Sequence, residues 1–193
     1  MSQRASSPVD CWPTSEANKH GFVSFRFLVR EASERTEDEF VALYPSPALW
    51  VVDPTKMTTG IRELLAPLDR GFQLLTEKIE GQAFLRYLNK VAFVSKRPGN
   101  PYPHLVSVGR SPSNDVTLAV PTVSKVHGYF AFEGDAWGFT DHGSSNGSCL
   151  NRRRLKARET YTLGSGDVLR LGPEVNLRFM TPEALYRRAR GGG

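Results

Sequence analysis

The sequence predicts a mainly β protein with a small mixed α/β segment in front and a short helix behind, and three observations carry that prediction. From residue 91 onward, short apolar runs follow one another at 91–95, 105–108, 116–118, 128–132, 137–140, 149–151, 161–163, 168–171 and 175–179, the spacing of strands in a β-sandwich or barrel. Turn-forming clusters separate them, among them Arg97-Pro98-Gly99-Asn100-Pro101 and Glu133-Gly134-Asp135. Before residue 91 the apolar spacing switches between the periods of strand and helix.

Residues 1–20 are rich in Ser, Pro and Asn without periodicity and read as a flexible tail. Val23, Phe25, Phe27 and Val29 then alternate with Ser24, Arg26 and Arg30, which predicts a strand with one buried face; Leu28 breaks the alternation. Thr36-Glu37-Asp38-Glu39 is a capping box, and Phe40, Leu43 and Tyr44 supply the apolar face of a short helix that Pro45 and Pro47 end. Residues 48–52 read as a buried strand closed by Asp53-Pro54. Ile61, Leu64, Leu65 and Leu68 fall at i, i+3, i+4 and i+7 of a helix that Pro67 kinks, and Phe72, Leu75 and Ile79 continue the stripe. Phe84, Leu85, Leu88 and Val91 fit either period. At the other end Thr181-Pro182-Glu183 places an N-cap and a proline at N1, opening a helix that runs to Arg187, Arg188 and Arg190. The division is thus a tail at 1–20, an α/β segment at 21–90, a β-sandwich at 91–180, and a helix with its tail at 181–193. Without a linker composition between 80 and 95, the α/β segment is expected to pack on the sandwich.

Composition narrows the function. No apolar run reaches the ~18 residues of a membrane span, and Arg4, Pro8, Asp10 and Pro13 interrupt the first twenty residues where a signal peptide needs an apolar core. Cys11 and Cys149 form neither a disulfide framework nor a metal site, so the expected setting is a reducing cytoplasm, with no metal and no cofactor. Residues 1–90 hold 11 Lys/Arg against 12 Asp/Glu, whereas residues 91–193 hold 14 against 8, so the β half is basic and suited to phosphate-bearing partners.

Four polar clusters punctuate that basic half: Gly109-Arg110 at the end of an apolar strand, Ser124-Lys125-Val126-His127, Asp141-His142-Gly143-Ser144-Ser145-Asn146-Gly147, and Gly164-Ser165-Gly166-Asp167. Each is a turn between β-patterned runs, an arrangement that converges basic, hydroxyl and amide side chains at one end of a sheet, as a phosphate reader requires. In order and spacing these clusters resemble a forkhead-associated (FHA) domain over about residues 91–180. The resemblance implies an FHA-type antiparallel β-sandwich and a non-enzymatic module that binds phosphothreonine-containing protein segments, an adaptor in Ser/Thr-kinase signalling whose partner is such a kinase or its substrate. It further implies that Arg110 pairs with the phosphate, Ser124 donates its hydroxyl, Lys125 adds a second charge, Ser145 lines the site and Asn146 holds the ligand main chain. Gly109, His127 and Gly147 support the site, His127 by bracing the loops.

Other readings of these residues are weaker. Ser124 and His127 with Asp141 as orienter suggest hydrolysis, but Val123-Ser124-Lys125 provides neither a nucleophile elbow nor an oxyanion hole. The Gly143–Gly147 loop lacks the Gly-Lys-Ser/Thr ending of a nucleotide cradle. A scaffold that uses the fold without phosphate is an alternative. Nucleic-acid binding through Arg152, Arg153, Arg154, Lys156 and Arg158 with Arg187, Arg188 and Arg190 is another, although no aromatic interleaves those arginines to stack bases.

Overall fold

The computed structural model describes residues 21–52, 82–102 and 104–191. The expected helices at 59–79 and the expected tail at 1–20 lie outside the described residues. Chain order is β1 (Phe22–Ser24), α1 (Phe25–Ser33), α2 (Glu37–Leu43), β2 (Ala48–Val51), α3 (Gln82–Leu85), β3 (Lys90–Phe93), β4 (Leu105–Gly109), β5 (Val116–Thr117), β6 (Gly128–Glu133), β7 (Ala136–Asp141), β8 (Ser148–Leu150), β9 (Arg153–Arg154), β10 (Thr160–Leu163), β11 (Val168–Leu171), β12 (Val175–Met180) and α4 (Pro182–Arg190).

Two sheets face each other, one in the order β1-β3-β2-β12-β11-β8-β9 and the other β10-β7-β6-β4-β5. All pairings are antiparallel except β4 with β5. Alternate residues of each strand point inward, so Leu49, Val51, Leu169, Leu171, Leu177 and Phe179 of the first sheet meet Val106, Val108, Phe130 and Phe139 of the second in one buried core. A second cluster lies on the outer face of the larger sheet, where Leu28 and Ala32 of α1, Phe40 of α2, and Leu185 and Ala189 of α4 cover Ala48, Val91, Phe93 and Met180. Fully burying a side chain of this size stabilises by about 1.5–3 kcal/mol, so this layer contributes on the scale of a small core.

The predicted strand across Val23–Val29 is corrected: strand pairing ends at Ser24, and Phe25–Ser33 is helical. Phe25, Leu28, Val29 and Ala32 are spaced i, i+3, i+4 and i+7, so the leucine that broke the alternation is, with Ala32, fully buried on the inner face of the helix. Ser24 fixes the start, its hydroxyl accepting from the Phe27 amide at 3.1 Å. The capping box forms as expected, with Glu39 Oε2 accepting from the Thr36 amide at 2.9 Å and Thr36 Oγ1 accepting from the Glu39 amide at 3.4 Å. In the ambiguous stretch after residue 82 a single helical turn, α3, gives way to β3 through Asn89, whose φ of 57° is the left-handed conformation that asparagine tolerates. The charge run at 152–158 contains β9, where Arg153 and Arg154 pair with β8.

Candidate functional site

Three loops meet beyond the Gly109 end of β4: the β4–β5 turn with Arg110, the β5–β6 loop with Ser124, Lys125 and His127, and the β7–β8 loop with Ser145 and Asn146. Backbone bonds lock the first two together. The Arg110 amide donates to Ser124 O at 2.9 Å and the Ser111 amide to Lys125 O at 3.1 Å, while Asn114 Nδ2 donates to Lys125 O at 2.7 Å and to Ser111 O at 2.8 Å. Gly109 is buried against the Lys125 carbonyl and lies 2.9 Å, measured from an added Cβ, from Asn114 Nδ2, so any side chain here would push the two loops apart.

The third loop joins through Ser124 and Thr122. Ser124 Oγ accepts from the Ser145 amide at 3.0 Å and reaches Ser145 Oγ only at 3.5 Å, which leaves its own proton available to a better acceptor. Asn146 Nδ2 donates to Thr122 O at 2.8 Å, while Thr122 Oγ1 donates to Glu174 Oε2 at 2.7 Å. Arg154 Nη1 donates to Asn146 O at 2.8 Å and its guanidinium packs against Gly147, which holds a φ of 68°. Part of the basic run therefore buttresses the loop from behind. Arg110, Lys125, Ser145 and Asn146 are exposed and Ser124 is half-buried.

Beneath the loops runs a buried relay. The Ser124 amide donates to His127 Nδ1 at 3.2 Å, which fixes Nε2 as the protonated nitrogen of the neutral ring, 3.2 Å from Ser148 Oγ. Ser148 in turn donates to Asp141 Oδ2 at 2.5 Å. Asp141 also accepts from the Gly143 and Ser144 amides at 2.8 and 2.7 Å and from Ser144 Oγ at 2.7 Å. Burial pushes the fully buried His127 below its ordinary pKa despite the pull of Asp141. Burial alone would raise the Asp141 carboxyl, but the bonds from Ser148, Ser144 and Gly143 outweigh it and hold it lower. A neutral imidazole whose Nδ1 is occupied by the Ser124 backbone cannot take the Ser124 hydroxyl proton, so this geometry braces loops and does not assemble a nucleophile.

All five expected contact residues thus stand on adjoining loops. Thr122, Asn114 and Ser148, which organise them, were not singled out from sequence; their signal is local, since each flanks a cluster that was. Among the described residues no group of three His, Cys, Asp or Glu side chains is placed to hold a metal ion, and no helix is long and apolar enough to cross a membrane.

The family model for the FHA domain matches residues 106–172. The glycogen accumulation regulator GarA of Mycolicibacterium smegmatis is 36% identical over 75 residues, 39% of this chain and 45% of that protein. The oxoglutarate dehydrogenase inhibitor of Corynebacterium jeikeium is 35% identical over 66 residues, 34% of this chain and 44% of that protein. The chain therefore spans less than half the length of these curated relatives. A crystal structure of the MEK1 FHA domain is 30% identical and covers 49% of this chain and 82% of that one, with a TM-score of 0.40. The matched stretch runs from β4 to the end of β11 and contains all three loops, so residues 106–172, with their Arg110, Ser124 and Asn146 turns, are a forkhead-associated domain.

Proposed function

We propose that this chain is a non-enzymatic, phosphothreonine-dependent protein-binding module and acts as an adaptor in Ser/Thr-kinase signalling in the cytoplasm. Its partner is a phosphothreonine-bearing protein, a kinase or a kinase substrate. One observation carries the reading: Ser124 Oγ is held by the Ser145 amide at 3.0 Å while its proton has no good acceptor, on loops that also present Arg110 and Lys125. A phosphothreonine carries about −1.5 to −2 charge and three acceptor oxygens, which this set of donors complements. Arg110 supplies the planar fork, Lys125 a point charge, Ser124 and Ser145 hydroxyl donors, and Asn146 the remaining amide groups toward the peptide main chain. The relatives' names, a regulator and an inhibitor, suit a module that works by binding. Calorimetry with paired peptides tests the proposal: the phosphothreonine form binds and the unmodified form does not, and equal affinities would overturn it.

Residues 21–90 are proposed to be a structural partner of the sandwich that leaves the peptide site open. Support comes from β2, which lies between β3 and β12, and from Tyr87, whose hydroxyl accepts from the Ala119 amide at 2.9 Å. A chain beginning at Lys90 should then melt well below the full chain, and two independent transitions in the full chain would contradict this.

A further inference from the structure

The helical layer covers β1, β3, β2 and the Met180 end of β12, but beyond it the outer face of the same sheet carries arginines. Residues paired across strands share a face, and so do residues two apart on a strand. Trp50 pairs with Arg178, which lies two residues from Asn176; Asn176 pairs with Arg170, Arg170 with Cys149, and Cys149 with Arg154. Arg154, Arg170 and Arg178 therefore form a basic stripe over four strands, and Arg188 of α4 adds to it, its guanidinium 5.1 Å from the centre of the Trp50 ring.

None of these four arginines lies within ion-pair distance of a carboxylate among the described residues; the ion pairs are made by Arg35, Lys96, His127 and Lys156 instead. Arg170 Nη2 faces only the Cys149 sulfur, at 3.2 Å, and Arg154 is held by Asn146 O. At the end of the stripe next to the helical layer, Trp50 Nε1 and Arg178 Nε are buried N–H donors with no acceptor among the described residues. Buried donors are ordinarily paired, so two unpaired ones on directly opposed residues, beside the Arg188 guanidinium, leave this end of the stripe with donors in excess of the acceptors around them.

We infer that this stripe is a second interface, which binds an acidic protein segment laid across β12, β11, β8 and β9, its Asp and Glu carboxylates facing the guanidiniums of Arg178, Arg170 and Arg154. Guanidiniums held on rigid strands, as those of the half-buried Arg170 and Arg178 are, favour bidentate recognition of carboxylates. The chain's own undescribed segments are poor candidates by charge, since residues 1–20 hold two Lys/Arg against two Asp/Glu and residues 53–81 four against five. A nucleic acid would need a base-stacking aromatic, and the Trp50 ring is already stacked with Phe25 at 4.7 Å and overlain by Arg188. The interface does not depend on the phosphothreonine reading; Arg154, through Asn146, is its one direct link to those loops.

A fluorescein-labelled peptide of alternating Asp and Glu, added to the full chain at low salt, tests this by anisotropy and by the indole N–H resonances of the three tryptophans, with Trp50→Phe making the assignment. The Trp50 resonance is expected to move on binding. The double variant R170Q/R178Q should bind at least about tenfold more weakly, and Arg110→Ala as tightly as the parent chain. Should the double variant melt early, Arg188→Gln on the surface of α4 must give the same direction of loss. A Trp50 indole unmoved at saturation, binding abolished by Arg110→Ala, or a single-stranded oligonucleotide that moves the same indole at lower concentration would each overturn the inference.

Discussion

Two polar clusters of nearly the same composition lie on neighbouring turns of this sandwich and have opposite fates. Around Asp115 a lysine, an amide and a hydroxyl converge on one carboxylate: Oδ2 accepts from Lys96 Nζ at 3.1 Å, Asn100 Nδ2 at 2.8 Å, Ser107 Oγ at 2.9 Å and the Ser107 amide at 2.8 Å, and Oδ1 accepts from the Arg97 amide at 2.8 Å. Around Ser124 the chain gathers an arginine, a lysine, an amide and two hydroxyls and supplies no anion. The first cluster is closed, with Asp115 buried and Lys96 almost so. The second is exposed, its backbone tied and its charged tips free. A donor set is structural where the chain supplies the acceptor and functional where it does not.

The largest effect is expected where the closed cluster is opened. Asp115→Ala strands a buried lysine and several donors, and breaking a buried pair from one side costs about 3–5 kcal/mol, so thermal melting should fall sharply. A small change in melting would show that the two clusters do not differ in kind. Arg110→Ala is the converse experiment. It should weaken a phosphothreonine peptide at least about tenfold, since a charge-assisted bond contributes about 1.5–3 kcal/mol, while melting stays near that of the parent chain. If binding is unchanged by calorimetry, Arg110 is a solvated surface residue.

His127 belongs to both worlds, because its ring ties the Ser124 amide to the Ser148–Asp141 pair. His127→Ala should therefore lower stability by about 1–3 kcal/mol and weaken binding together, read by melting and by calorimetry on the same sample. The smallest effect concerns pH. The unfolded chain protonates this histidine near its ordinary 6.5, whereas burial keeps the folded one neutral to lower pH. Below about 6.5 the unfolded state thus binds more protons, and stability, complete above that value, declines toward the depressed folded value. Asp141, also depressed, adds its loss at still lower pH, below 3.8. His127→Gln should flatten the acid side of a plot of melting temperature against pH near 6, and an unchanged slope would assign the effect elsewhere.

Much of the sandwich was legible because its strands have one buried face and an alternating pattern: the runs at 105–108, 168–171 and 175–179 coincide with β4, β11 and β12 to within a residue or so. The N-terminal stretch misled because Phe25 and Val29 fit both periods and Phe27 between them completes an alternation, so that only the burial of Leu28 separates strand from helix. β9 escaped notice since two exposed arginines carry no apolar signal, and their pairing comes from the tight turn at Asn151 and Arg152, both at positive φ. At the site, Arg110, Ser124 and Asn146 were legible through their turns. The Lys96–Asp115 pair was not, because its partners are 19 residues apart and lie among ordinary turn residues.

The short margins of both sheets carry a further consequence for behaviour at high concentration. Among the described residues β9 presents two residues, both exposed arginines, β5 presents two and β1 three, lengths and charges that give another chain little to pair with. The remaining margin, β10, is a four-residue ribbon with exposed Thr160 and Thr162, and Lys156 and Glu159 guard its approach as an ion pair at 3.2 Å. Should this protein ever self-associate by strand addition, in concentrated storage or when overexpressed, β10 is where the ladder would begin, and a lysine at Thr162 is the change that would stop it.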